Sequence, residues 1–231
     1  MTCSIDAEYL SELFLFRGVN AKVTADIIRE STRKSINRNE IIFNQGSEKK
    51  YFFVLIFGRL KIMRVAPDGQ QVITNIVDPG EVFGFTFSKR DYYSGTSSAV
   101  IDSIVLQWPT DVISSFFILN PKIAYNAMKM MERQLQTAHE RIQEISTQGV
   151  EQRVARTVLR LIEVATSIES HCLEINFPVS RQDIAELAGT TLHTVSRILS
   201  KWRACGWIES GRQSLKVLDI NSIRMIAKIR N

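Results

Sequence analysis

Apolar positions follow three successive regimes along the chain, and each predicts a different kind of element. From about residue 20 to 108, short runs rich in β-branched and aromatic residues (I-I-F, Y-F-F-V-L-I, L-K-I-M-R-V and V-I-T-N-I-V) are punctuated by glycines. Gly46, Gly58, Gly69 and Gly80 stand 12, 11 and 11 residues apart. Pro67-Asp68-Gly69 and Asp78-Pro79-Gly80 are turn signals. No helix-length segment separates these strands, which disfavours a parallel α/β sheet. The spacing predicts an antiparallel β-roll or jelly roll that closes on itself and can hold a small ligand. Ahead of it, residues 6–16 and 21–31 predict short covering helices.

From 121 to 146 the repeat becomes helical. Met128, Met131, Leu135, Ala138, Ile142 and Ile145 alternate steps of three and four, a heptad seam flanked by Gln134, Glu140, Arg141 and Glu144. The roll needs only part of this length, so the seam predicts pairing with the same helix of a second copy; packing on its own roll is the alternative. Residues 146–149, Ser-Thr-Gln-Gly, weaken the helix and predict a hinge.

Beyond Val150, the spacing of Val154, Val158, Leu161, Ile162 and Ala165 predicts another helix, and 173–178 a short strand. Residues 180–199, S-R-Q-D-I-A-E-L-A-G-T-T-L-H-T-V-S-R-I-L, then read as two short helices with a glycine between them. Ala185 is small where the helices would cross, and Gly189 suits a sharp turn with positive φ. Ile184, Leu187 and Ala188 face Val195 and Ile198. Thr191, Leu192, His193, Ser196 and Arg197 are left near or on the outward face, a mixture suited to base edges and phosphates in a DNA major groove. Gly206-Trp207-Ile208-Glu209 and Ser214-Leu215-Lys216-Val217-Leu218 flank Gly211 and predict a two-stranded wing. The whole is an α+β chain: a roll over 1–120, a dimerisation helix and hinge over 121–148, and a winged helix-turn-helix over 149–231. An ordinary helical hairpin in an enzyme is the competing reading of residues 180–199.

Composition supports the first reading. The 231 residues suffice for two ordinary domains. The net charge of +5 is uneven: residues 150–231 carry 12 Lys/Arg against 8 Asp/Glu, and residues 1–149 carry 17 against 16. The excess cations sit with the helical hairpin, as a phosphate-binding surface requires. No apolar run approaches the roughly 18–20 residues of a membrane span, and the start of the chain has no signal-like segment. Cys3, Cys172 and Cys205 lie far apart, so reduced thiols, a cytoplasmic location and no metal site are expected. No Ser-His-Asp, Cys-His or paired-carboxylate arrangement stands out among residues with only three histidines, so no enzyme is expected.

The glycine ladder, G-E-V-F-G at 80–84, the long helix and T-V-S-R at 194–197 occur in one order and spacing. From about residue 10 to 220 the chain resembles the bacterial regulators typified by the catabolite activator and the fumarate–nitrate reduction regulator, the CRP/FNR family. The resemblance implies a cytoplasmic homodimer on two-fold symmetric double-stranded DNA, with RNA polymerase as a further partner if it activates. An effector bound in the roll would reorient the DNA domains through the long helix. Arg197 is then expected to meet guanine O6 and N7, a bidentate pair worth about 1–3 kcal/mol, with Ser196 and His193 beside it. Ser180, Arg181, Gln182, Thr191 and Thr194 fall where the DNA backbone is contacted. Lys201 and Arg212 either add phosphate contacts or are solvated surface.

Three departures narrow the expectation. His193 stands where much of the family has glutamate. Phe85 stands where cyclic-nucleotide-binding members carry a ribose-binding glutamate, and Tyr93, followed by Ser94, where they carry a phosphate-binding arginine. A phosphate loses its forked partner there, so cyclic AMP and cyclic GMP are not expected as effectors. Phe83, Phe85, Thr86, Tyr93, Ser94, Met131 and Leu135 form the expected effector pocket, suited to an apolar or carboxylate guest or to none. An iron–sulfur cluster needs about four thiolates, and the amino-terminal region offers only Cys3. No cofactor is expected; haem, and with it nitric oxide or carbon monoxide sensing, is kept as an alternative through His139 on the long helix. Because glutamate accepts from cytosine N4 whereas imidazole can also donate, His193→Glu should change the base pair preferred in a selection from random duplexes. An unchanged consensus would show that this side chain does not read sequence.

Overall fold

The computed structural model describes residues 7–85, 92–165, 175, 177–211 and 213–228. Cys3, Thr86, His171, Cys172 and Arg212, with residues 173, 174 and 176 of the expected short strand, lie outside the described residues. Two compact units are present, Met1–Asp68 with Thr74–Thr137, and Gly69–Ile73 with Ala138–Asn231. Their boundary falls inside the long helix rather than at its end.

The first unit opens with α1 (Ala7–Glu12), a single 3-10 turn at Phe14–Phe16 and α2 (Ala21–Arg29). Eight strands follow: β1 (Thr32–Ile36), β2 (Ile41–Phe43), β3 (Tyr51–Phe57), β4 (Leu60–Val65), β5 (Gln71–Val77), β6 (Val82–Phe83), β7 (Thr96–Ala99) and β8 (Ser103–Pro109). They form two four-stranded sheets, ordered β1-β8-β3-β6 and β2-β7-β4-β5. The pairings β1–β8, β3–β8, β3–β6, β2–β7 and β4–β7 are antiparallel, as the glycine ladder predicts for a roll.

β3 is buried on both faces, which is why its sequence is a continuous apolar run. Phe53 and Leu55 point into one cluster with Ile36, Phe43, Leu60, Val77, Phe83, Tyr93 and Val105. Phe52, Val54 and Ile56 point into the other, beneath Leu10, Leu15, Phe16 and Ile27, where Trp108 donates its indole N–H to the Ile27 carbonyl at 2.8 Å. The covering helices are therefore required to close the outer face of β3 and β8. After β8 come α3 (Val112–Leu119) and α4 (Pro121–Thr147).

The second unit contains the end of α4, α5 (Val150–Ala165), α6 (Arg181–Ala188), α7 (Leu192–Ala204), the wing strands β9 (Ile208–Ser210) and β10 (Leu215–Val217), and α8 (Ile220–Lys228). Val154, Val158, Leu161 and Ile162 are all buried, on the predicted stripe. Within the segment expected to be a strand, Ile175 donates to the Leu215 carbonyl at 3.1 Å, and just after it Val179 donates to the Gln213 carbonyl at 3.2 Å, so this stretch runs beside the wing.

Gly58 and Gly189 both have positive φ, +99° and +61°, but for different consequences. A Cβ on Gly58 would run into Ser103 Oγ and stand 2.7 Å from the Asp102 carbonyl. One on Gly189 would meet only Ile145, at 3.8 Å. Gly189→Ala should therefore cost about 1–2 kcal/mol of left-handed backbone strain, and Gly58→Ala about 3 kcal/mol because a clash is added. Urea unfolding of the two variants checks this; equal losses would contradict it.

Candidate nucleic-acid interface

Local chemistry fixes both ends of α6 and the start of α7. Ser180 and Asp183 form a reciprocal cap: Asp183 N–H donates to Ser180 Oγ at 3.1 Å, and Ser180 N–H donates to the Asp183 carboxylate at 2.9 Å. Gly189 closes α6 in the left-handed conformation, with its N–H and that of Thr190 both donating to the Ala185 carbonyl. Thr191 caps α7 by accepting the Thr194 N–H at 3.2 Å. Ile184, Ala185 and Ala188 are buried against Val195, Ile198, Leu199 and Trp202. The buried face of α7 is apolar, with Glu186 the one charged side chain among the buried residues of α6, so the opposite face of α7 is the one left to water.

That outer face holds the expected side chains. Thr191, Leu192, His193 and Arg197 are exposed, and Thr194 and Ser196 half-buried. His193 and Arg197 lie one helical turn apart, as do Leu192 and Ser196. Several of the expected contact residues are already engaged within the protein. The hydroxyls of Ser180 and Thr191 are committed to their caps, so what each helix start offers an anion is its backbone N–H groups and dipole. Gln182 donates to Glu186 at 2.8 Å. Lys201 is paired with Glu151 at 3.2 Å, and the same carboxylate oxygen accepts the Trp202 indole N–H at 3.0 Å. Lys201 thus ties the recognition-like helix to the start of α5, a contact between residues fifty apart that charge alone did not reveal. Arg181 reaches the wing, its Nη2 3.4 Å from Ser210 Oγ.

Three arginines of α5, absent from the sequence-based site, join the elements around this hairpin. Arg153 donates to the Ala188 and Gly189 carbonyls, at 3.0 and 3.1 Å, and to the Gln148 carbonyl at 3.0 Å. One guanidinium thereby holds both the turn between α6 and α7 and the link between α4 and α5. Arg160 meets both oxygens of the buried Glu144 at 2.8 and 2.9 Å, and Arg156 lies 3.6 Å from the same carboxylate while donating to the Ala227 carbonyl of α8. Burial, together with the Arg160 charge, pushes Arg141 below its ordinary pKa, and Glu144 counters this. The available signal was the spacing of Arg153, Arg156 and Arg160 along one face, just beyond a glutamate on the preceding helix.

The seam residues of α4 are exposed: Met128 60%, Met131 46%, Leu135 58%, Ile142 62% and Ile145 60%, with Ala138 and His139 also exposed. A row of apolar side chains this long in water is unfavourable and marks a surface to be covered.

The expected effector pocket does not come together as one site. Phe83 and Tyr93 are buried in the roll interior, where Tyr93 stacks on Phe43 with ring centres 3.9 Å apart and Phe53 stacks on Phe83 at 5.0 Å. Tyr93 donates its hydroxyl proton to the Tyr51 carbonyl at 2.7 Å and accepts from the Tyr51 N–H at 3.2 Å. Burial pushes its pKa up, which keeps that donor protonated. Phe85 instead packs in the other cluster, between Phe52 and Phe117. Ser94, Met131 and Leu135 are exposed. Phe83 and Phe85 would share a face if the strand ran on; Gly84 between them turns the chain at φ +70°, and the two rings end in clusters on opposite faces of β3. Among the described residues, no group of three or more His, Cys, Asp or Glu side chains is placed to hold a metal ion, and no helix is long and apolar enough to cross a membrane.

Two families account for most of the chain. The Crp-like helix-turn-helix domain matches residues 152–226, and the cyclic nucleotide-binding domain matches residues 33–119. The chain belongs to the CRP/FNR family of DNA-binding transcription regulators. Among relatives of this CRP/FNR regulator, the CRP-like cAMP-activated global transcriptional regulator of Mycobacterium tuberculosis is 25% identical over 214 residues, 92% of this chain and 95% of that one. Electron transport regulator A of Shewanella oneidensis is 25% identical over 202 residues, 87% and 80% of the two chains. FixK2 from Bradyrhizobium japonicum has the same fold, with a TM-score of 0.74, 21% identity, and coverage of 87% of this chain and 99% of that one.

The Glu144–Arg160 pair generates a direct test. Glu144→Gln removes the charge but keeps the shape, leaving Arg160, about a third exposed, without its counter-ion. Discounted for that exposure, the loss should be about 2 kcal/mol, read as a lower urea midpoint. An unchanged midpoint would show that the pair holds nothing.

Proposed function

We propose that this regulator works as a cytoplasmic homodimer, paired through the α4 seam, that places one α7 in each half of a two-fold symmetric DNA site. The observation that carries this reading is the outer face of α7, where Arg197 and His193 stand exposed above a fully buried apolar face. A guanidinium there is free to fork onto guanine O6 and N7, and the caps of α6 and α7 present their N-termini for phosphate. The long exposed seam supports pairing, because a second copy covers it with identical side chains. RNA polymerase is the further partner if the protein activates. Chemistry on a substrate is not part of this reading, because the family's members are transcription regulators.

The controlling signal differs from that of the cAMP-activated relative. A cyclic nucleotide needs a cation for its phosphate and an acceptor for its ribose hydroxyls. At the two matching positions this chain has Tyr93, stacked on Phe43 and bound to the Tyr51 backbone, and Phe85, packed on Phe52 and Phe117. These residues do not fit the nucleotide: neither ring supplies the cation or the ribose acceptor, and each is packed in a different cluster. Cysteine spacing argues equally against an iron–sulfur cluster.

Fluorescence anisotropy with a duplex selected by the native protein tests the proposal. Arg197→Ala should weaken specific binding about 5–150-fold per half-site, from the 1–3 kcal/mol of a bidentate guanine contact, while the steeply salt-dependent nonspecific component persists. Cyclic AMP should leave the native affinity unchanged. Full operator preference in Arg197→Ala, or a large saturable gain with cyclic AMP, would contradict the respective half of the reading.

A further inference from the structure

Leu192 is a large apolar side chain at the leading end of α7, 46% exposed, next to the residues that carry the DNA reading. Its exposure has no structural explanation within the described chain. Val195 and Leu199 continue the same stripe of α7 and are buried, with Ile198 and Trp202 beside them, whereas Leu192 at its open end is left uncovered, and the helix start is already capped by Thr191. Leu192 shares the first turn with His193 and stands one turn ahead of Ser196, so its strip runs alongside the His193–Arg197 strip. Helix side chains tilt toward the N-terminus, which sends Leu192 forward, the direction in which a recognition helix meets base edges.

A leucine brings no donor or acceptor to a groove. The one apolar group on the major-groove edge of a base pair is the thymine C5 methyl. We propose that Leu192 reads thymine by covering that methyl group, at a base pair neighbouring the guanine met by Arg197. This inference rests on the DNA-reading role proposed above and deepens it: the half-site contains a thymine whose methyl, rather than its hydrogen-bonding edge, is recognised. Discrimination at that position is then a matter of shape and desolvation. It is also independent of the charge state of His193 and insensitive to salt, unlike the phosphate contacts.

The experiment uses the full-length protein and the duplex it selects from a random library. Each thymine of that duplex is replaced in turn by deoxyuridine, which removes only the methyl group. The expected result is one position per half-site at which the native protein binds about four-fold more weakly, the transfer of one methyl group out of water. In Leu192→Ala the same replacement should have no effect, and Leu192→Met, which keeps an apolar tip, should restore the sensitivity. Both variants change an exposed position, and the native thymine scan does not depend on either. Salt-dependent, sequence-selective binding that is indifferent to every replacement would overturn the Leu192 assignment alone. The same would follow from equal sensitivity in native protein and Leu192→Ala. Failure of the native protein to bind any duplex would overturn the underlying DNA-reading role as well.

Discussion

A short helix can offer one face to a groove only if its other face is held rigidly by the protein. In this chain the close crossing of α6 and α7 meets that requirement. Ala185 is small where the helices meet, Gly189 turns the chain without backbone strain, and Val195, Leu199 and Trp202 lock α7 from beneath. The angle of the crossing decides which side chains face outward. His193 and Arg197 share a face of α7 because they stand four residues apart, and the crossing leaves that face open. Arg153 reinforces the arrangement by gripping the two carbonyls at the turn itself. The site is therefore a consequence of packing before it is one of charge.

A second theme is the use of buried polar groups as joints. Glu144, Arg153, Arg156 and Arg160 connect the end of α4, the whole length of α5, the turn before α7 and the end of α8. Such pairs contribute less to net stability than apolar contacts would, since desolvation offsets much of their attraction. They are demanding in geometry, however, and so define a particular arrangement of the elements they join. The roll follows the opposite strategy. One of its clusters is built on stacked aromatic rings, among them Tyr93, whose hydroxyl is bonded to the Tyr51 backbone.

Much of this was legible in the sequence because the signals were local. Gly189 marks the turn between the two short helices, while the caps at Ser180 and Thr191 read in the sequence only as positions for DNA-backbone contacts. The heptad seam of α4 and the spaced glycines of the roll are likewise periodic features. What escaped depended on residues far apart. Lys201 reads as a free cation until Glu151, fifty residues earlier, is brought against it. The α5 arginines draw no reading until the carbonyls of Gln148, Ala188 and Ala227 are placed around them. Phe83, Phe85 and Tyr93 read as one aromatic wall, but a two-sided strand assigns them to different cores. The seam itself was visible, whereas the division of the chain into units partway along α4 was not.

The central claim is that α7 enters a major groove with Arg197 against guanine, twice per site. Methylation interference with dimethyl sulfate measures this directly, because the reagent modifies guanine N7 in the major groove and adenine N3 in the minor groove. Strong interference is expected at guanine N7 in two positions related by a two-fold axis, about one helical turn apart or a multiple of it, and absent at adenine N3. Interference confined to adenine N3, or a single unpaired guanine with no symmetry mate, would contradict the account.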